Sequence, residues 1–187
     1  PQYNTEHRPE EYPTVDGRLP EGKGAMSGLP LQRISTNVIR HVYRRTRGKL
    51  TIIGVGGIGS PVALYLARAG IYEFGIIDYD NVNKSNLHRQ VLFDQIDIGK
   101  KKVIVTKKKI QMIDKKIKIK TYDIKVNKQN LKKIIKYYDY IIDGTDNFKS
   151  KLDINDECLK QRKKLFVGSV SQFDAHIFFF DFTKKGP

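Results

Sequence analysis

Three glycines, a spaced set of carboxylates and a short polar, basic run are the residues of this 187-residue chain most capable of chemistry. Gly54, Gly56 and Gly59 form G-x-G-x-x-G directly after the apolar run Leu50–Ile53, and Gly57 belongs to the same turn. In such a motif the first glycine permits a tight turn and the second lets backbone approach a phosphate. The third lets a helix pack closely on a strand. Asp78 follows Gly59 by 19 residues, where a carboxylate accepts hydrogen bonds from ribose hydroxyls. Asp80 stands two residues further on. Together these residues point to a nucleotide.

The next segment offers partners for its phosphates. Arg89 has a planar fork that binds two phosphate oxygens and stays charged, although the segment also suits a solvent-exposed polar loop. Asn86, three residues earlier, falls on the same side of a helical turn. A second cation could come from Lys100, Lys101 or Lys102, although a lysine run also makes a solvated face. Asp146 follows a strand and fits either of two roles. It could hold Mg²⁺, which takes few protein ligands plus phosphate oxygens, or it could cap a helix.

The elements that must position these groups alternate. Leu50–Ile53 predicts a buried strand and Ile58–Ala69 a helix with Gly70 as its cap. Phe74–Ile77 predicts a second strand ending at Asp78. Ser85 begins a helical turn, and Ile98 or Gly99 opens a helix whose inward face is Val103, Thr106, Ile110 and Ile113. Ile117–Tyr122 alternates with lysine and predicts an edge strand. Lys128–Lys136 predicts an amphipathic helix with Leu131, Ile134 and Ile135 inward. Tyr138–Asp143 is a further buried strand. Asn147 caps a helix with Phe148, Leu152 and Leu159 inward, and Leu165–Val167 and Ile177–Phe182 are the last strands. The predicted fold is α/β: a Rossmann-like, doubly wound, mostly parallel sheet with helices on both faces. Its ligands lie beyond the carboxyl ends of the strands.

Composition narrows the classes. No apolar run approaches the ~20 residues of a membrane helix, and no secretory signal opens the chain. The single Cys excludes an intramolecular disulfide and fits a reducing, cytoplasmic setting. The net charge of +15 is spread over helices, strands and loops, without aromatics interleaved with Arg. That pattern argues against nucleic acid and for a solvated surface that suits an acidic protein partner. Before Gly48 there are seven Arg and one Lys; from Gly48 onward there are three Arg and 24 Lys. Residues 1–47 therefore read as a divergent, vector-derived or wrongly joined segment, partly disordered, with a short basic helix over 31–47. The folded domain is expected over 48–187.

Four strings, G-V-G-G-I-G-S, I-I-D-Y-D-N-V-N-K-S-N-L-H-R-Q-V-L-F, I-G-K-K-K-V and D-G-T-D-N-F, occur in this order. In sequence and spacing they resemble the ThiF/MoeB/HesA family, the adenylating relatives of the ubiquitin-activating enzymes. The resemblance covers residues 48–187 and is nearest the MoeB/ThiF sulfur-carrier activators. It implies ATP and Mg²⁺ as cofactors and a homodimer. It also implies adenylation of the carboxyl-terminal glycine of a ubiquitin-like or sulfur-carrier protein. Carried over by motif, Gly54, Gly56, Gly57 and Gly59 form the nucleotide turn, Asp78 holds the ribose and Asp80 lies beside it. Asn86, Arg89 and Lys102 contact the triphosphate, Asp146 binds Mg²⁺, Asn147 lies beside the nucleotide and Gln90 completes the motif. Arg89, Lys102 and Asp146 would be the catalytic groups. No general base is implied, so His88 receives no acid–base role.

Three features depart from the family pattern. The Tyr-x-Arg-Gln string that supplies an Arg across the dimer is missing, with Arg40, Arg44 or Arg45 as the available substitutes. Neither Cys-x-x-Cys pair for zinc is present, and the chain stops at K-K-G-P, so it reads as truncated and zinc belongs only to a missing part. Cys158 lies on a predicted helix and reads as a buried hydrophobe, not a transfer cysteine. Two other functions compete with the leading one. A NAD-dependent oxidoreductase explains the glycines and Asp78 but not N-L-H-R-Q, Lys102 or T-D-N. A catalytically inactive carrier-binding scaffold explains the missing Arg string but not Arg89 and Asp146.

Overall fold

The computed structural model describes residues 49–171 and 174–184. The segment 1–47, with its expected basic helix and Arg40, Arg44 and Arg45, lies outside the described residues. The chain alternates as read: β1 (Leu50–Ile53), α1 (Gly59–Arg68), β2 (Glu73–Asp78), α2 (Lys102–Ile113), β3 (Lys118–Asp123), α3 (Lys128–Ile135), β4 (Tyr140–Asp143), α4 (Phe148–Lys160), β5 (Lys164–Ser171) and β6 (Asp174–Asp181). The six strands form one sheet in the order β3-β2-β1-β4-β5-β6, parallel except for the β5–β6 hairpin. Strand order reverses between β1 and β4. That switch point opens a crevice at the carboxyl ends of the two strands.

Parallel strands with helices on both faces must be apolar on both, and β1, β2 and β4 are. Ile53, Ile77, Ile141 and Leu165 point to one face. There they meet Leu131, Ile134 and Ile135 of α3 and Ile154 and Cys158 of α4. Ile52 and Ile76 alternate to the other face, covered by α1 and α2. As expected, β3 is an edge strand, with Lys118 and Lys120 exposed.

Two helices differ from the sequence expectation. The helix expected from Ile98 or Gly99 begins at Lys102. Gly99 has φ +84°, and a bridge between Asn81 and Lys101 keeps the preceding residues extended. Within α2, Val103, Val105, Thr106 and Ile110 are buried, whereas Ile113 is exposed at the last turn. In α4 the expected inward trio is on the outside. Phe148 is 76% exposed, Leu152 48% and Leu159 55%. Ser150, Asp153, Ile154, Glu157 and Cys158 are buried instead. The trio does share one flank of α4. Asp153 and Asp156 pair with Lys128, and Gln161 donates to the Lys132 carbonyl, so the opposite flank faces α3.

Cys158 is fully buried against β4 and β5, as its reading as a hydrophobe anticipated. Burial, with Asp143 and Glu157 nearby, pushes its thiol up to about 12. Two predictions follow from this helix. Ile154→Ala removes a fully buried side chain and is expected to destabilise by roughly 2–5 kcal/mol, whereas Leu152→Ala stays within about 0.5 kcal/mol. Urea unfolding of both variants measures the contrast, and equal losses would mean the helix is rotated. Cys158 should resist a thiol reagent at pH 8 until the chain unfolds, because the thiolate is the nucleophile. Rapid labelling of the native chain would contradict its burial.

Candidate nucleotide site

The crevice begins at two backbone turns that touch. Gly54 follows β1 with φ +84°, a left-handed conformation that side chains disfavour. A Cβ on Gly54 would also meet the Gly144 carbonyl group and the Thr145 nitrogen at 3.0 Å. A Cβ on Gly59, the first residue of α1, would overlap the Gly54 carbonyl oxygen. These two glycines are therefore required by the protein itself, and Gly59 acts from behind the cleft.

Gly56 and Gly57 are different. Their nearest neighbours to a Cβ are the Gln90 amide at 3.7 Å and Arg89 Cδ at 3.6 Å, ordinary contact distances. Both line a cleft of about 580 Å³, so their missing side chains leave room on the ligand side. The amino-terminus of α1 opens behind this turn with no side-chain cap and no acidic residue in its first turn. Its free N–H groups and positive dipole end suit an anion.

Asp78 closes β2 and staples the turn in place. Its Oδ2 accepts from the Val55 amide at 2.7 Å and its Oδ1 from the Asp80 amide at 2.8 Å. Burial raises its pKa, while those two amides and Lys102 pull it back down without cancelling the effect. Each oxygen retains a lone pair for a further donor. Lys102, the first residue of α2, is 3% exposed, and its Nζ lies 2.8 Å from Asp80 Oδ2. Its amide also donates to the Asp80 carbonyl at 3.0 Å, so Asp80 clasps the lysine at both ends.

The segment between these residues carries the remaining groups. Asn83 caps a short turn at Lys84–Asn86. Arg89 Nη2 donates to Asn86 Oδ1 at 2.9 Å and lies over Gly57. Gln90 is 3% exposed, and its Oε1 is a buried acceptor without a partner among the described residues. Gly99 and Lys100 bond back to Val82, and Lys109 pairs with Asp94 and Asp97 to hold the loop against α2.

Across the crevice, the turn after β4 presents Asp146 and Asn147, both exposed to the cleft. The Asn147 side chain accepts from the Ser150 amide at 2.9 Å, which makes it the expected cap of α4. Asp146 makes no hydrogen bond or ion pair among the described residues. Asp80, burial, Asp146 and Asp78 together raise the Tyr79 phenol above its ordinary value. The Tyr79 hydroxyl thus stands within the field of all three carboxylates of this rim. No cluster of three acidic, histidine or cysteine ligands exists among the described residues. A magnesium ion would fit here as Mg²⁺ usually binds, with a carboxylate, water and phosphate oxygens.

The structure thus brings Gly54, Gly56, Gly57, Asp78, Asp80, Asn86, Arg89, Gln90, Lys102, Asp146 and Asn147 to one cleft, with Gly59 in its foundation. His88 does not line it. Sequence reasoning missed Asp143, Thr145 and Lys151 beneath the Asp146 turn. Asp143 was read only as the end of an apolar strand, and a buried carboxylate there calls for a cation that only the fold identifies.

Comparison with known proteins agrees with this geometry. The ThiF family profile matches residues 38–187. A probable molybdopterin-synthase adenylyltransferase of Gracilaria tenuistipitata var. liui is 40% identical over 144 residues, which are 77% of this chain and 40% of that protein. The sulfur carrier protein adenylyltransferase of Thermus thermophilus is 34% identical over 134 residues, 72% of this chain and 49% of its own length. The crystal structure of E. coli MccB with ATP superposes with a TM-score of 0.63 at 28% identity, covering 71% of this chain and 39% of that one. The chain spans about half or less of the length of these proteins. With the family profile matching most of its length, over the same residues that build the cleft, this chain belongs to the ThiF family.

Proposed function

We propose that this chain is the nucleotide-binding half of an ATP-dependent adenylyltransferase acting on the carboxyl-terminal glycine of a ubiquitin-like or sulfur-carrier protein. The observation that carries the reading is the convergence of Gly56, Asp78, Arg89, Lys102 and Asp146 on one cleft at the switch point. The ribose hydroxyls donate to Asp78. The triphosphate runs over Gly56 and Gly57 at the positive end of α1, toward Arg89 and Lys102.

The carrier carboxylate is ionised at neutral pH and attacks the α-phosphorus. An oxygen–phosphorus bond forms as the bond from the α-phosphorus to its bridging oxygen to the β-phosphorus breaks, and pyrophosphate leaves. No proton has to move, so no side chain serves as a base. Arg89 and Lys102 stabilise the charge that accumulates around phosphorus. Mg²⁺ held by Asp146 would offset the repulsion between the triphosphate and the carboxylates of the rim. The reaction is proposed to run in a homodimer, for which the exposed apolar flank of α4 offers a face.

Carrier-dependent ATP–pyrophosphate exchange tests this function. Asp146→Ala and Arg89→Ala are each expected to lower exchange by about 10²–10³-fold without lowering the melting temperature. Full activity in Asp146→Ala would remove it from the metal site. A second prediction concerns pH. Because burial raises the Asp78 pKa, the folded chain favours its neutral form. Its contribution to stability is complete below the ordinary carboxylate value and is lost as pH rises through the raised one. Ribose binding has the opposite sign, since it needs the ionised acceptor. Adenosine affinity should fall by up to about tenfold per pH unit once acidification passes the raised pKa. Constant affinity down through the ordinary carboxylate value of about 3.9 would separate Asp78 from the ribose.

A further inference from the structure

Beneath the turn that presents Asp146 lies an ion pair that the proposed chemistry does not use. Asp143, the last residue of β4, is fully buried. Its Oδ1 accepts from the Thr145 amide at 2.8 Å and the Thr145 hydroxyl at 2.6 Å. Its Oδ2 faces Lys151 Nζ at 3.4 Å. Lys151 sits one turn into α4, where its amide donates to the Asn147 carbonyl at 3.2 Å. Its Nζ also donates to the Gly168 carbonyl of β5 at 2.8 Å. Gly168 has no room for a side chain, because a Cβ would meet Ile58 Cγ2 of the glycine turn at 2.9 Å. Lys151 keeps 17% of its side chain exposed and lines the cleft.

These contacts join four walls of the site through one ammonium group: the end of β4, the first turns of α4, the middle of β5 and, through Gly168, the glycine turn. We propose that Lys151 is a positioning residue for the adenylation step, a role that rests on the adenylation reading above. Its charge fixes the Asp143–Thr145 turn, and that turn sets where the Asp146 carboxylate and its metal stand against the nucleotide phosphates.

The physical case lies in what removal would leave. Without Lys151, the buried Asp143 carboxylate is left with only Thr145 donors on one of its oxygens. A buried charge without its partner recruits water or draws its surroundings inward. The residue that moves first is Thr145, which is covalently joined to Asp146. Displacement of a reacting or metal-binding group by about 1 Å is enough to cost ~10²-fold in rate. A purely structural pair behaves differently, since replacing both members of a buried pair by neutral groups of similar volume often restores stability.

The test compares Lys151→Met, Lys151→Arg, Asp143→Asn and the double variant Asp143→Asn/Lys151→Met in the complete chain. Each is measured for melting temperature, for binding of a fluorescent ATP analogue with and without Mg²⁺, and for carrier-dependent pyrophosphate exchange. In Lys151→Met we expect metal-free analogue binding within about twofold of wild type, but a loss of about tenfold in the tightening that Mg²⁺ gives. Lys151→Arg keeps the charge and the donors, and should recover that tightening. The double variant should melt near wild type yet still lack the Mg²⁺ response and turn over slowly. A double variant that regains both stability and the Mg²⁺ response overturns the proposal, because the pair would then be structural only. Equal Mg²⁺ tightening in wild type and Lys151→Met also overturns it. Absence of exchange in every protein, wild type included, alongside the expected binding pattern would remove the adenylation reading and leave Lys151 as a residue that positions the Asp146 turn for metal–nucleotide binding alone.

Discussion

The carbonyl oxygen of Gly54 is the point against which this site is built. Gly59 starts α1 so close to it that a side chain would overlap it, and a Cβ on Gly144 would stand 2.9 Å away. Two strands that are adjacent in the sheet, β1 and β4, therefore send their carboxyl-terminal turns into direct backbone contact. The helix that follows one of them begins at that contact. Close approach of this kind is what glycine permits and every other residue prevents. Once it is made, the positive end of α1, the Asp78 staple and the turn carrying Asp146 have fixed places around one crevice. A chain with alanine at Gly59 would have to open the crevice before it could bind anything.

Around that backbone framework the charges are held by short bonds to one another, so the cleft is organised before a ligand arrives. Lys102 is almost fully buried and is offset by Asp80, while Arg89 is oriented by Asn86. Lys102 need not be gathered from solvent, which is the condition for electrostatic stabilisation of a developing charge without reorganisation, whereas Arg89 is exposed and held by Asn86. The same logic places Lys151 and Asp143 below the other rim. Gly56 and Gly57 are the counterexample that shows where the ligand goes. Nothing among the described residues forbids a side chain there, so the space they leave suits a ligand.

Much of this was legible in the sequence because local rules and global architecture agree over residues 50–146. Strand, glycine turn, helix and acidic strand end each carry their own signal, and all four meet in one unit. Asn147 was legible as a cap for the same reason, since its side chain satisfies a helix amide wherever the helix packs. The start of α2 was not, because the left-handed Gly99 and the Asn81–Lys101 bridge depend on a pairing distant in sequence. The Asp143–Lys151 pair was hidden for a related reason. A lysine eight residues after an aspartate has no local meaning until α4 folds back over β4 and β5.

The misreading of α4 shows the limit of hydrophobic periodicity. Phe148, Leu152 and Leu159 recur at helical spacing, and a period argument assigns such a stripe to the core. The assumption inside that argument is that a chain buries its own apolar residues. Here the inward stripe is smaller and partly charged, with Asp153 satisfied by Lys149 and Lys128. The large residues face away from α3. The same holds on β6, where His176, Phe178 and Phe180 stack along one exposed side with ring centres 6.0 and 6.4 Å apart. The row continues to the half-buried Phe182 just beyond the strand, 5.7 Å from Phe180. Phe178 and Phe180 pair with Val167 and Leu165, whose side chains point to the α4 side of the sheet. The two apolar surfaces therefore share one face. The β3 edge, by contrast, carries lysines that resist a further strand. Periodicity measures how apolar residues are arranged along an element. Whether the same chain covers them is decided by topology, and at β6 and α4 topology leaves them outside.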